Sequence, residues 1–204
     1  MAVASAEGEA QTDHRKGPRR RGDALHTAIY EATLAELTDV GYAELTMKSV
    51  ARRARASTAS LYRRWSSRAE LVVDAMRTRA PVVLEVPDTG TVRGDVLGFM
   101  RRVADVLNGP AGDAVRGLMI EAMGDPELRA VIRARFVEPA TGCMLEALRR
   151  GVVRGEVRPA ALTPVVAGAA IAVLREQFLL GDRSLQDSFL VEVVDTVVVP
   201  LTRA

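Results

Sequence analysis

The chain has 204 residues, of which 48% are hydrophobic and 26% charged, and its formal net charge is +2. That length allows one or two domains, and that composition excludes a wholly disordered or collagen-like chain. A single cysteine, Cys143, excludes an internal disulfide framework, and the longest clean apolar run, residues 162–174, is too short to span a membrane. The Ala/Glu-rich start over residues 1–12 lacks the basic-then-apolar order of a secretory leader, so the reading is a reduced, cytoplasmic, soluble protein without a membrane partner.

The near-neutral total hides an asymmetry. Residues 15–79 carry 14 Lys/Arg against 7 Asp/Glu, and residues 80–204 carry 14 against 16. Such a split suggests that the first part meets a polyanion, although basic surfaces also serve solubility alone.

Residues 1–22 are poor in large apolar side chains and end in a basic run, Arg15, Lys16, Arg19, Arg20 and Arg21. They read as a flexible arm that either lies along DNA or is merely solvated. Asp23 is placed to cap a helix over 23–40 with Leu25, Ile29, Ala32, Leu37 and Val40 on its apolar face, and Gly41 suits its C-terminal end. Thr46 offers the next N-cap, and Met47, Val50, Ala51 and Ala54 follow at i, i+3, i+4 and i+7. After a tight break at Arg55–Ala56, Ser57 caps a third helix with Leu61 and Trp65 inward. Ser66 or Ser67 caps a fourth, with Leu71, Val72, Ala75 and Met76 inward. Pro81 closes this unit, and residues 87–90 form a linker.

The remainder also reads as helical. Helices are expected over 91–108, 111–123, 126–154 with a break near Pro139, 163–180, and from a cap at Ser184 to Val199 before Pro200. Residues 191–199 have the valine content of a strand, but no partner strand is visible, so they are assigned to helix.

Two short helices joined by a tight turn, after a longer one, form a helix-turn-helix candidate. Small inward residues, Val50, Ala51 and Ala54, allow the steep packing, and Leu61 and Trp65 anchor the second helix. Ser57, Thr58, Ala59, Ser60, Arg63 and Arg64 remain for the outer face and first turn, where such units contact base edges. Arg63 and Arg64 suit guanine, Thr58 and Ser60 suit phosphates or bases, Ala59 suits a thymine methyl, and Tyr62, Lys48 and Arg68 suit phosphates. By spacing alone these arginines also fit an ordinary surface helix, and Tyr62 and Trp65 also fit plain core.

Residues 23–76 resemble the DNA-binding domain of the TetR family of transcriptional regulators. The likeness rests on Gly41–Tyr42, Leu45–Thr46, Val50–Ala51, Ala54-Arg55-Ala56-Ser57, Leu61–Tyr62, Trp65, Ser67–Arg68 and Glu70–Leu71, about a quarter of the chain. The family usually carries Gly where this chain has Arg55, so Arg there requires a less favourable backbone or a different turn. The resemblance implies an all-α fold, with an N-terminal helix-turn-helix DNA-binding domain over 23–80 and a helical effector-binding and dimerisation domain over 81–204. It carries DNA contacts onto Thr46, Lys48, Ser57, Thr58, Ser60, Tyr62, Arg64 and Arg68, while Ala59 and Arg63 are added by spacing. It also implies a homodimeric repressor that is released from a double-stranded operator by a small molecule. A DNA-binding regulator without such an effector, protein-controlled or architectural, is the alternative.

Within the second half, Ala167, Gly168, Ala169, Ala170 and Ala172 permit close helix approach and suit a dimer interface with Val194, Val197 and Val198, or an interior monomer helix. Candidate pocket residues are Met100, Val103, Leu107, Leu118, Met119, Met123, Phe136, Met144 and Phe178, any of which also fits plain core. Arg175 and Glu176 interrupt an apolar helix, and either suits a polar anchor or a solvated position. No nucleotide-binding glycine fingerprint, zinc motif or Gly-x-Ser-x-Gly occurs, and no histidine lies near Cys143, so the sequence argues against an enzyme, a cofactor or a metal.

Overall fold

The computed structural model describes residues 17–78, 85–109, 111–181 and 184–204, with side chains from Ala24 onward. All regular structure among them is helical; the single strand-like feature is an isolated bridge between Val157 and Arg203. No described helix is long and apolar enough to cross a membrane.

Helix α1 (Gly17–Glu44) starts earlier than the sequence suggested, so Asp23 lies within it and not at its start. Pro18 suits a first turn, and the arginines that follow are good helix formers, so nothing forces a start at Asp23. The remainder of the expected arm, residues 1–16, lies outside the described residues. Ile29, Ala32, Thr33, Glu36 and Leu37 form the buried face of α1, at 0–5% exposure. At Gly41 the backbone turns left-handed (φ 75°), which redirects the chain so that Tyr42 and Leu45 are buried beyond the kink.

Helix α2 (Met47–Arg53) opens with a capping box, in which Thr46 Oγ1 accepts from the Ser49 amide and Ser49 Oγ accepts from the Thr46 amide. It ends with Arg55 in the left-handed region at φ 53°. The Ala56 amide donates to Ala51 and the Arg55 amide to Arg52, the pattern of a Schellman cap. The turn therefore keeps the geometry that glycine normally supplies, and Arg55 carries its strain. Arg55→Gly should raise stability by about 0.5–1 kcal/mol, because the relieved left-handed cost of about 1–2 kcal/mol exceeds glycine's extra chain entropy. The urea midpoint should rise with an unchanged slope; a fall would show that the Arg55 side chain stabilises the turn.

Helix α3 (Thr58–Tyr62) is capped by Ser57, and α4 (Arg68–Arg77) by Ser67. Trp65 follows α3 and is 2% exposed, packed against His26 and Tyr30 of α1, and its indole N–H donates to Asp74 of α4 at 3.0 Å. Arg53 ties α2 to α1 through Glu36 (2.7 Å) and Asp39 (2.6 Å). Pro81 and the expected boundary after residue 80 lie outside the described residues.

The second part comprises α5 (Val92–Asn108), α6 (Ala111–Gly124), α7 (Pro126–Ile132), α8 (Glu138–Val153), α9 (Pro164–Leu180), α10 (Asp187–Val193) and α11 (Val199–Thr202). Wide π turns, Arg133–Val137 and Val194–Val198, join α7 to α8 and α10 to α11. Each lies just before a proline, Pro139 and Pro200, and each contains the carbonyl four residues back that a proline ring would strike. Pro200 consequently does not stop the helix, which runs to Thr202, and the valine-rich tail is helical as expected. The last helix starts at Asp187 behind Gln186, so Ser184 is not its cap.

Two cores result. One joins α5, α8, α9 and the C-terminal helices around Phe99, Met100, Met144, Leu148 and Leu174. The other joins α1–α4 and continues into α6 and α7 through Ala114, Leu118, Ala122, Leu128 and Ile132. The helix-turn-helix thus packs on helices drawn from the second half of the chain.

Candidate nucleic-acid interface and interior cavity

The exposed side of α2 and α3 carries Lys48, Ala59, Tyr62, Arg63 and Arg64, and Tyr62 is 56% exposed. Thr58 is half-buried at the start of α3. Thr46 and Ser57 are exposed, but their hydroxyls already accept backbone amides as caps. Ser60 departs from its expected outer position: it is 8% exposed, on the side of α3 that also buries Leu61. With only five residues in α3, the arc that packs on the other helices reaches as far as Ser60. Sequence reasoning missed two exposed cations, Arg52 and Arg55. Arg52 lies one turn beyond Lys48 on α2, so the i, i+4 spacing was there to find it.

Arg68 is engaged elsewhere. One guanidinium nitrogen lies 3.2–3.4 Å from the carbonyls of Tyr42, Ala43 and Leu45, at the bend between α1 and α2. The other pairs with Glu121 of α6 at 3.2 Å, and the guanidinium sits 4.6 Å from the centre of the Tyr42 ring. Tyr42 donates its hydroxyl to the same Glu121 oxygen at 2.7 Å, and burial together with Glu121 holds the phenol well above its ordinary pKa. Gly117, one turn earlier on α6, lets the ring approach; a Cβ there would lie 2.5 Å from the Tyr42 ring. Tyr42, Arg68, Gly117 and Glu121 therefore form the joint between the helix-turn-helix and α6, and both terminal nitrogens of Arg68 are engaged within it.

Another side of α6 borders a cavity of about 580 Å³, walled also by α1, α4, α5, the π turn after α7, and α9. Val103, Leu107, Leu118, Met119, Phe136 and Phe178 line it. Met100, Met144 and Met123 do not. The first two are 0% and 1% exposed within the core between α5, α8 and α9, and Met123 is 79% exposed at the end of α6. Helical rotation explains this, since 103 and 107 border the cavity while 96, 100 and 104 turn into the core. Leu34, Leu37 and Met76, from α1 and α4, also line the cavity, which no local pattern announced. Arg116 holds Phe178 in place, its guanidinium 4.5 Å from the ring centre and donating to the Phe178 carbonyl at 2.5 Å.

The small-residue helix α9 divides between inside and outside. Ala167 and Ala170 are 1% and 0% exposed and Val194 and Val198 are 0% and 3%, all within the monomer core, which removes them from any outer interface. Gly168, Ala169, Ala172 and Val197 keep partial or full exposure, beside Val165 at 82%. No group of three or more His, Cys, Asp or Glu among the described residues is arranged to hold a metal.

A capped helix-turn-helix with a basic outer face, docked through α6 on an all-helical body with a cavity between the two, defines a helical DNA-binding regulator. Comparison with known proteins agrees. Residues 29–75 match the bacterial regulatory proteins of the tetR family, and residues 86–197 match the tetracyclin repressor-like C-terminal domain. The DNA-binding transcriptional repressor TetR of Mycobacteroides abscessus is 34% identical over 188 residues, covering 90% of this chain and 96% of that protein. The HTH-type transcriptional regulator AqdR of Rhodococcus erythropolis is 31% identical over 137 residues, 67% of this chain and 66% of that protein. The crystal structure of the TetR family transcription regulator SCO0332 superposes with a TM-score of 0.74 at 26% identity, covering 85% of this chain and 96% of that one. The chain belongs to the TetR family of helix-turn-helix transcriptional regulators, which are DNA-binding transcription factors and not enzymes.

Proposed function

We propose that this protein is a homodimeric repressor whose hold on its operator weakens when a small molecule fills the cavity. The observation that carries this reading is the double role of α6, which borders the cavity and also carries Gly117 and Glu121 against Tyr42 and Arg68. A ligand that displaces α6 changes the seat of the helix-turn-helix, and a coupling of about 1–3 kcal/mol changes affinity by roughly 5–150-fold. The repressor role is supported by the 34% identical relative, itself named a repressor.

In this reading Arg63 and Arg64 reach base edges, Thr58 and Ala59 approach them from the first turn of α3, and Lys48 and Tyr62 hold phosphates. The outer face of α9 around Val165, Ala169 and Ala172, with the C-terminal helices, forms the two-fold contact. The effector-binding and dimerisation unit then extends over residues 81–204, and the DNA-binding unit over 23–80.

The test is a fluorescence-anisotropy titration of the promoter region upstream of the protein's own gene, with excess nonspecific DNA and at several salt concentrations. Wild type should bind tightly and resist competitor, and Arg64→Ala should weaken binding by about 1–3 kcal/mol. Weak binding that the competitor abolishes, equally for both proteins, would overturn operator reading through α3 on that DNA.

A further inference from the structure

The effector reading says nothing about which chemistry the cavity accepts; the following inference rests on that reading. We propose that the cavity takes an amphipathic anion, an apolar body bearing one carboxylate that pairs with Arg175. The wall is built mainly from leucine, valine, methionine and phenylalanine, and a volume of about 580 Å³ matches a drug-sized molecule. A ligand with many polar groups would lose its hydration there without replacement. The lining hydroxyl of Thr38 already donates to the Leu34 carbonyl at 3.0 Å.

Among the described residues, three charged ones line the cavity: Glu31, Asp105 and Arg175. Glu31 and Asp105 are exposed and keep their water, whereas Arg175 is half-buried on α9, between Leu174 and Phe178. Arg116, also near this end of α9, is engaged by the carbonyls of Phe178 and Leu179. Arg175 has no hydrogen bond or ion pair with any described residue. A guanidinium stays charged under all ordinary conditions, so a ligand that dries the cavity must either strand this cation or neutralise it. A carboxylate neutralises it and matches its fork of donors. A neutral ligand of the same size does not, and an ammonium opposes it.

Isothermal titration calorimetry with decanoate, decan-1-ol and decylammonium tests this on wild type, Arg175→Gln and the cavity-filling Ala35→Trp. Melting curves without ligand establish that each variant folds, and Val106→Trp replaces Ala35→Trp if the latter does not. Decanoate should bind wild type at least about ten-fold more tightly than decan-1-ol. Arg175→Gln should remove that preference while leaving the alcohol unchanged, and the filled cavity should bind neither. Equal binding of acid and alcohol, or tightest binding of the ammonium through Glu31 and Asp105, overturns the anionic class; if the filled variant then loses binding, the cavity remains a ligand site. Failure of all three to bind, with no change in the wild-type melting point, overturns the anionic class and counts against the effector cavity as well.

Discussion

Arg68→Ala should lower the melting temperature and weaken operator binding while leaving the salt dependence of that binding unchanged. Arg68 holds three carbonyls at the α1–α2 bend, the Glu121 carboxylate and the face of Tyr42. Hydrogen bonds to charged groups contribute about 1.5–3 kcal/mol net. In a chain of this size each kcal/mol shifts the melting temperature by roughly 2–4 °C. A residue that bonds a phosphate behaves differently, because its loss reduces the slope of log affinity against log salt by about one. Lys48→Ala should show that second pattern, with an unchanged melting temperature. The pair of titrations therefore separates a joint residue from a phosphate contact. A reduced slope with unchanged stability for Arg68→Ala would return it to the DNA surface.

A loss of about 3–5 kcal/mol is expected for Asp95→Ala, the scale of breaking a buried charge pair. The Asp95 side chain is fully buried, 3.1 Å from Arg154 and 3.9 Å from Arg150. It also accepts the Thr89 amide at 2.6 Å and the Thr89 hydroxyl at 2.8 Å, which fastens the segment before α5 to the first turn of that helix. Arg154 in turn holds Glu156, whose carboxylate caps the Val92 amide at 2.8 Å. Burial by itself pushes the Asp95 carboxyl up, but the Thr89 hydrogen bonds and the two arginines outweigh it and hold it below the ordinary carboxylate range. Its contribution is therefore fully present above the unfolded value of about 3.9 and is lost as pH falls through the lower folded value. Urea unfolding followed from pH 7 to pH 3 should show wild type losing stability at the acid end. Asp95→Ala should start lower and lose less over the same range. An equal acid loss in both proteins would assign the pH dependence to other groups.

The local features of the helix-turn-helix were legible in the chain. Thr46, Ser57 and Ser67 cap as their positions predicted, because a cap needs only a side-chain oxygen and an amide three residues on. Leu61 and Trp65 are both buried as expected, although Trp65 follows α3 and does not lie on it. Arg55 was anticipated as a departure from glycine, and the chain answers by keeping the turn and bearing a left-handed arginine. The break expected near Pro139 does not occur. A wide turn placed just ahead of the proline lets the helix continue, and the same arrangement carries the last helix through Pro200.

The role of each polar residue was much less legible. Arg68 and Arg64 are alike in the sequence, yet Arg68 meets Glu121 across 53 positions while Arg64 stays exposed. Met100 and Val103 lie within one turn of each other, and only the rotation of α5 against its neighbours separates core from cavity wall. Ala170 and Ala172 are interchangeable by composition, but one is buried in the monomer and the other faces outward.

By itself the sequence determined the all-helical class, the caps at Thr46, Ser57 and Ser67, the turn between α2 and α3 and the inward faces of the short helices. Each of these depends on residues within about one helical turn of one another, where backbone geometry leaves few choices. Tertiary structure alone decided that α6 would serve both the cavity and the joint, that Arg68 would pair with α6, and that Arg175 would have no partner among the described residues. Those outcomes depend on which distant helix arrives at a given face, as when Tyr42 meets Glu121 across 79 positions. The period of a helix specifies that a face is buried and carries no record of what buries it.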